Sequence, residues 1–267
     1  MPYLKAKDGI DIFYECYGKG EPLLFVHGLG ASTSMYKPQV DYFKRFFQVV
    51  LIDLRGNGKS GKLDCLPEEV LDKQMEDIKE VLQSLQIDKS IFVGVSYGGV
   101  LVQKLAITYP TIVKALVITD SFCDTTIDSF QKLLAMISAN QTWILNMPSK
   151  WLAKLTKLSY KKWMLASKEM ENIMLNMRKN ELKIQRKAIN KIKINEHLSI
   201  LKIPTLCLVG DYTNLGVQMM KRVSGLIQKS ELQIIEDSFD PSNLCQPQVF
   251  NEKVHNFICK VNNSFYN

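Results

Sequence analysis

A series of short apolar runs constrains this chain more than any other feature. PLLFV, VVLI, SIFVGV, KALVIT, PTLCLV and LQII recur along it. Each is too short for a buried helix, and most are apolar at nearly every position, which suits parallel strands covered on both faces. The first four alternate with stretches such as PEEVLDKQMEDIKEVLQSLQI, where apolar residues fall at helical spacing and acidic residues come early. Strand–helix alternation of this kind predicts an α/β fold with helices on both faces of a parallel sheet. YLKAKDG followed by IDIFYECYG reads as an antiparallel hairpin ahead of the first run.

Residues 122–200 break the rhythm. Strand signals vanish, and the text from WILNMPSK onward is helical, rich in Lys, Leu and Met, and interrupted at Pro148. The apolar runs then resume with KIPTLCLVGD and ELQIIED, and NEKVHNFICKV closes as a helix. The expected organisation is therefore a core of residues 1–121 and 201–267 with a helical insertion at 122–200.

The 267 residues suffice for one large core, with 46% hydrophobic and 23% charged content. No apolar run approaches the roughly 18–20 residues of a membrane span. MPYLKAKDGIDIFYECYG lacks the apolar centre and cleavage site of a secretory signal, so a cytoplasmic location is expected. The six cysteines, Cys16, Cys65, Cys123, Cys207, Cys245 and Cys259, stand far apart without CxxC spacing. They read as free, mostly buried thiols, with no metal site and no cofactor implied. The net charge of +7 is uneven: residues 122–200 hold 14 Lys and Arg against 6 Asp and Glu. Such a segment can attract an acidic protein partner, a membrane or nucleic acid. Without interleaved aromatics or a nucleic-acid motif, a solvated helical face is the simpler reading, and no nucleic acid is expected.

Chemistry enters at GVSYGG, residues 94–99, which follows SIFVGV and opens a helical stretch. This is G-x-S-x-G in a strand–turn–helix setting. The turn is so tight that Gly94 and Gly98 must flank the serine, and Ser96 is presented as a nucleophile above the sheet. Its place at a helix N-terminus sets backbone N–H groups beside developing negative charge. HGLG, residues 27–30, follows PLLFV in the same manner. The N–H groups of Leu29 and Tyr97 are the expected oxyanion donors. His27 is a lesser candidate for general base, since a histidine opening such a turn more often orients the loop through its own hydrogen bonds.

FVHGLGAS, IDLRGNGKS and VGVSYGG, in that order and spacing, resemble the capped branch of the α/β-hydrolase superfamily across essentially the whole chain. The resemblance implies an eight-stranded, mostly parallel sheet with a helical cap inserted after the sixth strand. It also implies a Ser–acid–His triad and cofactor-free hydrolysis of an ester, amide or related bond. Two triad positions depart from the pattern. The acid's position falls on Thr213, with Asp211 two residues early and Asp120, at the end of the sixth strand, as the preferred alternative acid. The histidine's position, in DSFDPSNLCQP, falls on Asp240. The chain's other histidines, His197 and His255, lie at the insertion's exit and inside the last helix, too far along to serve Ser96.

Three functions follow as expectations. The first is a carboxylesterase-like serine hydrolase of altered activity on a small apolar acyl substrate. The second is a non-catalytic module that binds a ligand or a protein partner. ITDSFCDTTI and the histidine-free last loop resemble a partner-binding member of the superfamily. The third is a lyase on the same pocket. Trp143, Trp151, Trp163 and the methionines of the insertion either line an apolar pocket or pack its helices together.

Overall fold

The computed structural model describes residues 3–126 and 145–264. Its centre is an eight-stranded sheet of β1 (Tyr3–Lys5), β2 (Asp11–Tyr17), β3 (Pro22–Val26), β4 (Gln48–Ile52), β5 (Ser90–Val95), β6 (Val113–Thr119), β7 (Thr205–Gly210) and β8 (Ser230–Ile235). The spatial order is β1-β2-β4-β3-β5-β6-β7-β8. β2 runs antiparallel to both β1 and β4, and every later pairing is parallel. The predicted hairpin and all six apolar runs are strands, so the expected sheet is observed.

Alternation along each buried strand sorts the side chains into two cores. Leu24, Val26, Phe92, Leu116, Ile118 and Cys207 face one side. Leu23, Phe25, Ile91, Val93, Val117 and Leu206 face the other. The first face is covered by α2 (Val70–Ser84), α3 (Tyr97–Thr108) and, beyond the insertion, α8 (Asn214–Leu226). The second is covered by α1 (Lys37–Phe43) and the closing helix α10 (Pro247–Ser264), which follows the single turn α9 (Ser242–Cys245). All six residues of β5 are buried. Each fully buried aliphatic side chain contributes about 1.5–3 kcal/mol by leaving water.

Between β6 and β7 stand α4 (Ser149–Ser159), α5 (Met164–Asn176), α6 (Lys179–Ile189) and the short α7 (Asn195–Leu198). Pro148 precedes α4, as its fixed φ and missing N–H favour. Turns at Tyr160–Trp163 and at Met177–Arg178 divide what the sequence presents as one helical tract. An antiparallel bridge between Asp124 and Lys193 draws the two ends of the insertion together. The Arg222 guanidinium holds Asp124 at 2.7 Å. Gln185 of α6 and Asn57 of the loop after β4 exchange amide hydrogen bonds at 2.9 and 3.3 Å. Arg178 donates to the carbonyls of Gly58 and Gly61. Among the described residues no helix is long and apolar enough to cross a membrane. The cysteines are free, as expected, but only Cys123, Cys207 and Cys245 are buried, while Cys16 and Cys259 are exposed.

The parallel registers pair Val26 with Gly94, Val95 with Thr119, and Gly210 with Ile235. The segments that follow β3, β5, β6, β7 and β8 therefore leave the sheet at one edge. In open α/β sheets the crevice outside these carboxyl ends is where ligands bind.

Candidate active site

Ser96 follows β5 directly and adopts φ 54°, ψ −113°. That backbone costs a non-glycine residue about 1–3 kcal/mol and persists only where the surroundings enforce it. They do so here through the Ser96 N–H, bonded to the Thr119 carbonyl at 2.8 Å, and the Ser96 carbonyl, which accepts from the Val100 N–H at 3.2 Å. A Cβ on Gly94 would meet the Gly98 carbonyl oxygen at 2.4 Å, and one on Gly98 would meet the Val26 oxygen at 2.1 Å. Both glycines are sterically required, as the motif demands.

The HGLG turn lies against the serine. A Cβ on Gly28 would stand 3.7 Å from the Ser96 Cβ. Among the described residues neither the Leu29 nor the Tyr97 N–H is bonded to a partner. The Tyr97 side chain runs into the core, where its hydroxyl donates to Gln74 at 2.6 Å. His27 is fully buried. Its Nδ1–H donates to the Gly28 carbonyl at 2.8 Å, and its Nε2 accepts from the Leu54 N–H at 3.0 Å. Burial lowers its pKa, so the ring is neutral with both nitrogens occupied. It braces the turn and has no free nitrogen for a proton transfer.

The Asp240 carboxyl lies beside the Ser96 side chain, close enough for the hydroxyl to act on its pKa. Burial pushes the Asp240 carboxyl well above its ordinary value, the negative charge of Asp120 pushes it further, and the Ser96 hydroxyl opposes them. Asp120 follows β6 with φ 49°. Its Oδ1 accepts from the Gly210 N–H at 3.0 Å and the Ser242 hydroxyl at 2.9 Å. Its Oδ2 accepts from the Ser242 N–H at 2.7 Å. Burial raises Asp120 to about 6 against the pull of these donors. Two neighbouring carboxylates in one low-dielectric site resist ionising together and share a proton. The three donors on Asp120 favour its ionised form, so Asp240 is the member that holds the proton. Ser96, Asp120 and Asp240 each keep part of their surface open.

The remaining candidates lie elsewhere. Thr213 is the N-cap of α8, and its hydroxyl oxygen accepts from the Gly216 N–H at 3.3 Å. Asp211, in the loop after β7, accepts from the Ser238 N–H of the loop after β8 at 3.2 Å. His255 is packed by Tyr42, Phe43, Phe46 and Phe47 on α10. His197 belongs to α7. Among the described residues no cluster of His, Cys, Asp or Glu is arranged to hold a metal ion.

Two residues that sequence reasoning passed over shape the site. Ser242 supplies two of the three donors to Asp120, and in the sequence it stands two residues after Asp240 within DSFDPSNLCQP. Tyr160, in the turn after α4, donates its hydroxyl to the Asp240 carbonyl. Nothing in the sequence marked it. Around it Phe239 packs on Tyr160 and Trp163, with ring centroids 5.5 and 6.4 Å away. Trp163 also donates its indole N–H to the Asp237 carbonyl at 2.8 Å. Trp163 therefore packs the insertion onto the loop after β8. Trp151 is exposed, and Trp143 lies outside the described residues.

Comparison with known proteins agrees with this geometry. The family description "alpha/beta hydrolase fold" matches residues 21–162. The chain is 26% identical over 246 residues to 3-oxoadipate enol-lactonase 1 of Acinetobacter baylyi, covering 90% of this chain and 89% of that protein. A shorter match, 34% identical over 127 residues, covers 43% of this chain and 33% of epoxide hydrolase 4 of Homo sapiens. The chain thus spans under half the length of several curated relatives it matches. Among solved structures, a thermophilic esterase from Thermogutta terrifontis superposes with a TM-score of 0.83 at 20% identity, covering 97% of this chain and 98% of that one. An enol-lactonase from Burkholderia xenovorans gives 0.80 at 19% identity, covering 97% and 100%. With the sheet order, the serine turn and the family match in agreement, the chain belongs to the α/β hydrolase fold family.

Proposed function

We propose that this chain is a serine hydrolase of small apolar carboxylic esters, with Ser96 as nucleophile and Asp240 in the role a histidine fills elsewhere. The carrying observation is the placement of the buried Asp240 carboxyl beside Ser96, with the Asp120 carboxylate as its charged neighbour. An aspartate of ordinary pKa is too weak a base for a serine hydroxyl. Burial and the Asp120 charge both raise the proton affinity of Asp240 and so move it toward a useful base. Relatives named as an esterase and as enol-lactonases support the choice of an ester-type bond.

In this reading the ionised Asp240 takes the Ser96 hydroxyl proton as Oγ attacks the acyl carbon. The N–H groups of Leu29 and Tyr97 receive the oxyanion. Protonated Asp240 then gives its proton to the departing alkoxide, which leaves as the alcohol. A water, deprotonated by Asp240, attacks the acyl-serine, and the Ser96 oxygen leaves with the returned proton as the free acid forms. The insertion at 122–200 acts as a cap, fixed beside the site by the Tyr160–Asp240 hydrogen bond.

A second reading, a binding module without turnover, is favoured by a different observation: none of the chain's three histidines is bonded to Ser96. Turnover of p-nitrophenyl acetate and butyrate by wild type and Ser96→Ala, from acid to alkaline pH, separates the two. Ser96-dependent turnover supports the hydrolase; equal rates for both proteins leave the binding module.

A further inference from the structure

Helix α4 carries an apolar stripe that is open to solvent among the described residues. Trp151, Leu155 and Leu158 follow the i, i+4, i+7 spacing of a single helical face. They are 65%, 54% and 66% exposed. The opposite face, with Leu152 and Ala153, is the buried one. Across the turn, Met164 and Leu165 at the start of α5 extend the patch, at 85% and 50% exposed. Five large apolar side chains thus open to solvent within fifteen residues, whereas the sheet and its covering helices bury almost all of theirs.

The segment that carries the stripe is charged only by lysines. Residues 150–168 contain six lysines, Lys150, Lys154, Lys157, Lys161, Lys162 and Lys168, and no aspartate or glutamate. At about 100° per residue, Lys150, Lys154 and Lys157 form a strip along one flank of the apolar stripe. Lys157 pairs with Glu171 across the two helices, and Lys162 with Asp237. Among the described residues no carboxylate pairs with Lys150, Lys154, Lys161 or Lys168, and all four are exposed.

We propose that this face of α4 and α5 docks on an anionic lipid surface. The stripe is convex, formed by side chains standing off a helix, and offers no groove to a rigid partner. A fluid acyl layer adapts to such a ridge. Tryptophan suits the headgroup boundary, and lysines beside it reach anionic headgroups while their stems stay with the apolar side chains. The absence of acidic residues from the stretch makes the complementary surface an anionic one. The turn that ends α4 holds Tyr160, whose hydroxyl donates to the Asp240 carbonyl, so a docked membrane lies on an element bonded to the loop that carries Asp240. The docking itself does not depend on turnover at that site.

The test is co-sedimentation of the full chain with vesicles of phosphatidylcholine alone or mixed with phosphatidylglycerol. Binding at least about tenfold stronger on the mixed vesicles, and weakened by salt, is expected. Trp151→Ser with Leu155→Ser and Leu158→Ser should lower that binding by about tenfold or more while leaving the circular dichroism spectrum unchanged, since all three side chains are exposed. Brominated lipid should quench part of the tryptophan emission, and Trp151→Phe should remove that part. Binding to neither vesicle, or binding and quenching that ignore these substitutions, overturns the proposal. So does a dimer in light scattering that the triple serine variant dissolves while vesicles stay unbound, which assigns the face to a second copy of the chain.

Discussion

The carboxyl group of Asp240 lies beside the Ser96 side chain and near the negative charge of Asp120, which raises its proton affinity. This sets the pH dependence of any chemistry at Ser96. The base must be ionised to act, and its pKa lies well above that of an ordinary carboxylate. Ser96-dependent ester turnover should therefore fall on the acid side through a limb well above the ordinary carboxylate range. A pH–rate profile, corrected with Ser96→Ala, reads this directly. A limb near pH 4 would mean that Asp240 is solvated and ordinary, and the proposed base would be lost.

Replacing Asp120 by Asn removes the charge that raises Asp240. The sign is fixed: with less repulsion Asp240 gives up its proton more readily, so the acid limb moves to lower pH. Stability should also fall, by about 1–3 kcal/mol, because the amide nitrogen that replaces one carboxylate oxygen cannot accept, so either the Gly210 or the Ser242 N–H loses its partner. Denaturant melts and the pH profile of Asp120→Asn check the two effects separately. An unmoved limb would remove Asp120 from the site's electrostatics.

Asp240→His should raise ester hydrolysis by roughly 10²–10⁴-fold, the usual contribution of a well-placed general base. On the proposed reading Thr213 needs no change, because it caps α8 and Asp120, the proposed acid, already neighbours position 240. The control is the double variant Asp240→His with Asp120→Asn, in which most of the gain should disappear. A gain that survives in the double variant would show a histidine working without an acid behind it.

These contrasts show where the sequence was informative. The sheet was legible because each strand's burial is written in its own apolar residues. Ser96 was legible because the sterics that hold its turn are local: Gly94, Gly98 and the Val26 carbonyl admit no side chain. Asp120 and Asp240 are 120 positions apart, and only the pairing of β6 with β7 and the Ser242 tether bring them together. No local pattern encodes that. The insertion hid its breaks for another reason. Between 122 and 200 it contains one proline and no glycine, and its Lys, Leu and Met favour helix equally throughout, so the turn at Tyr160–Trp163 left no mark. The exposure of Trp151 was equally invisible, since an outward stripe and a packed one have the same spacing.

Asp240→Asn tests the dyad without relying on activity. A carboxyl whose folded pKa is raised favours the native state below its unfolded pKa, near 3.9, and that contribution is lost as pH rises through the folded value. Wild type should therefore lose stability from about pH 4 up through the raised pKa of Asp240, while the amide variant lacks this slope. The Tm difference, variant minus wild type, should grow from acid to alkaline buffer. A constant difference would mean that Asp240 is not buried beside a second charge.

Thr213→Ala separates a cap from a catalytic residue. Thr213 occupies the triad acid's position in sequence, yet its hydroxyl oxygen accepts from the Gly216 N–H at the start of α8. Loss of a threonine N-cap costs about 1 kcal/mol, because the first-turn N–H is left without a partner. The variant should melt a few degrees lower in every buffer, since the lost bond involves no titrating group. The acid limb of Ser96-dependent turnover should stay in place, because neither Asp120 nor Asp240 loses a donor or a neighbouring charge. Thr213→Ser keeps the cap and should restore the Tm. A shifted limb in Thr213→Ala that the serine variant rescues would bring residue 213 back into the site and displace Asp120 as the group behind Asp240.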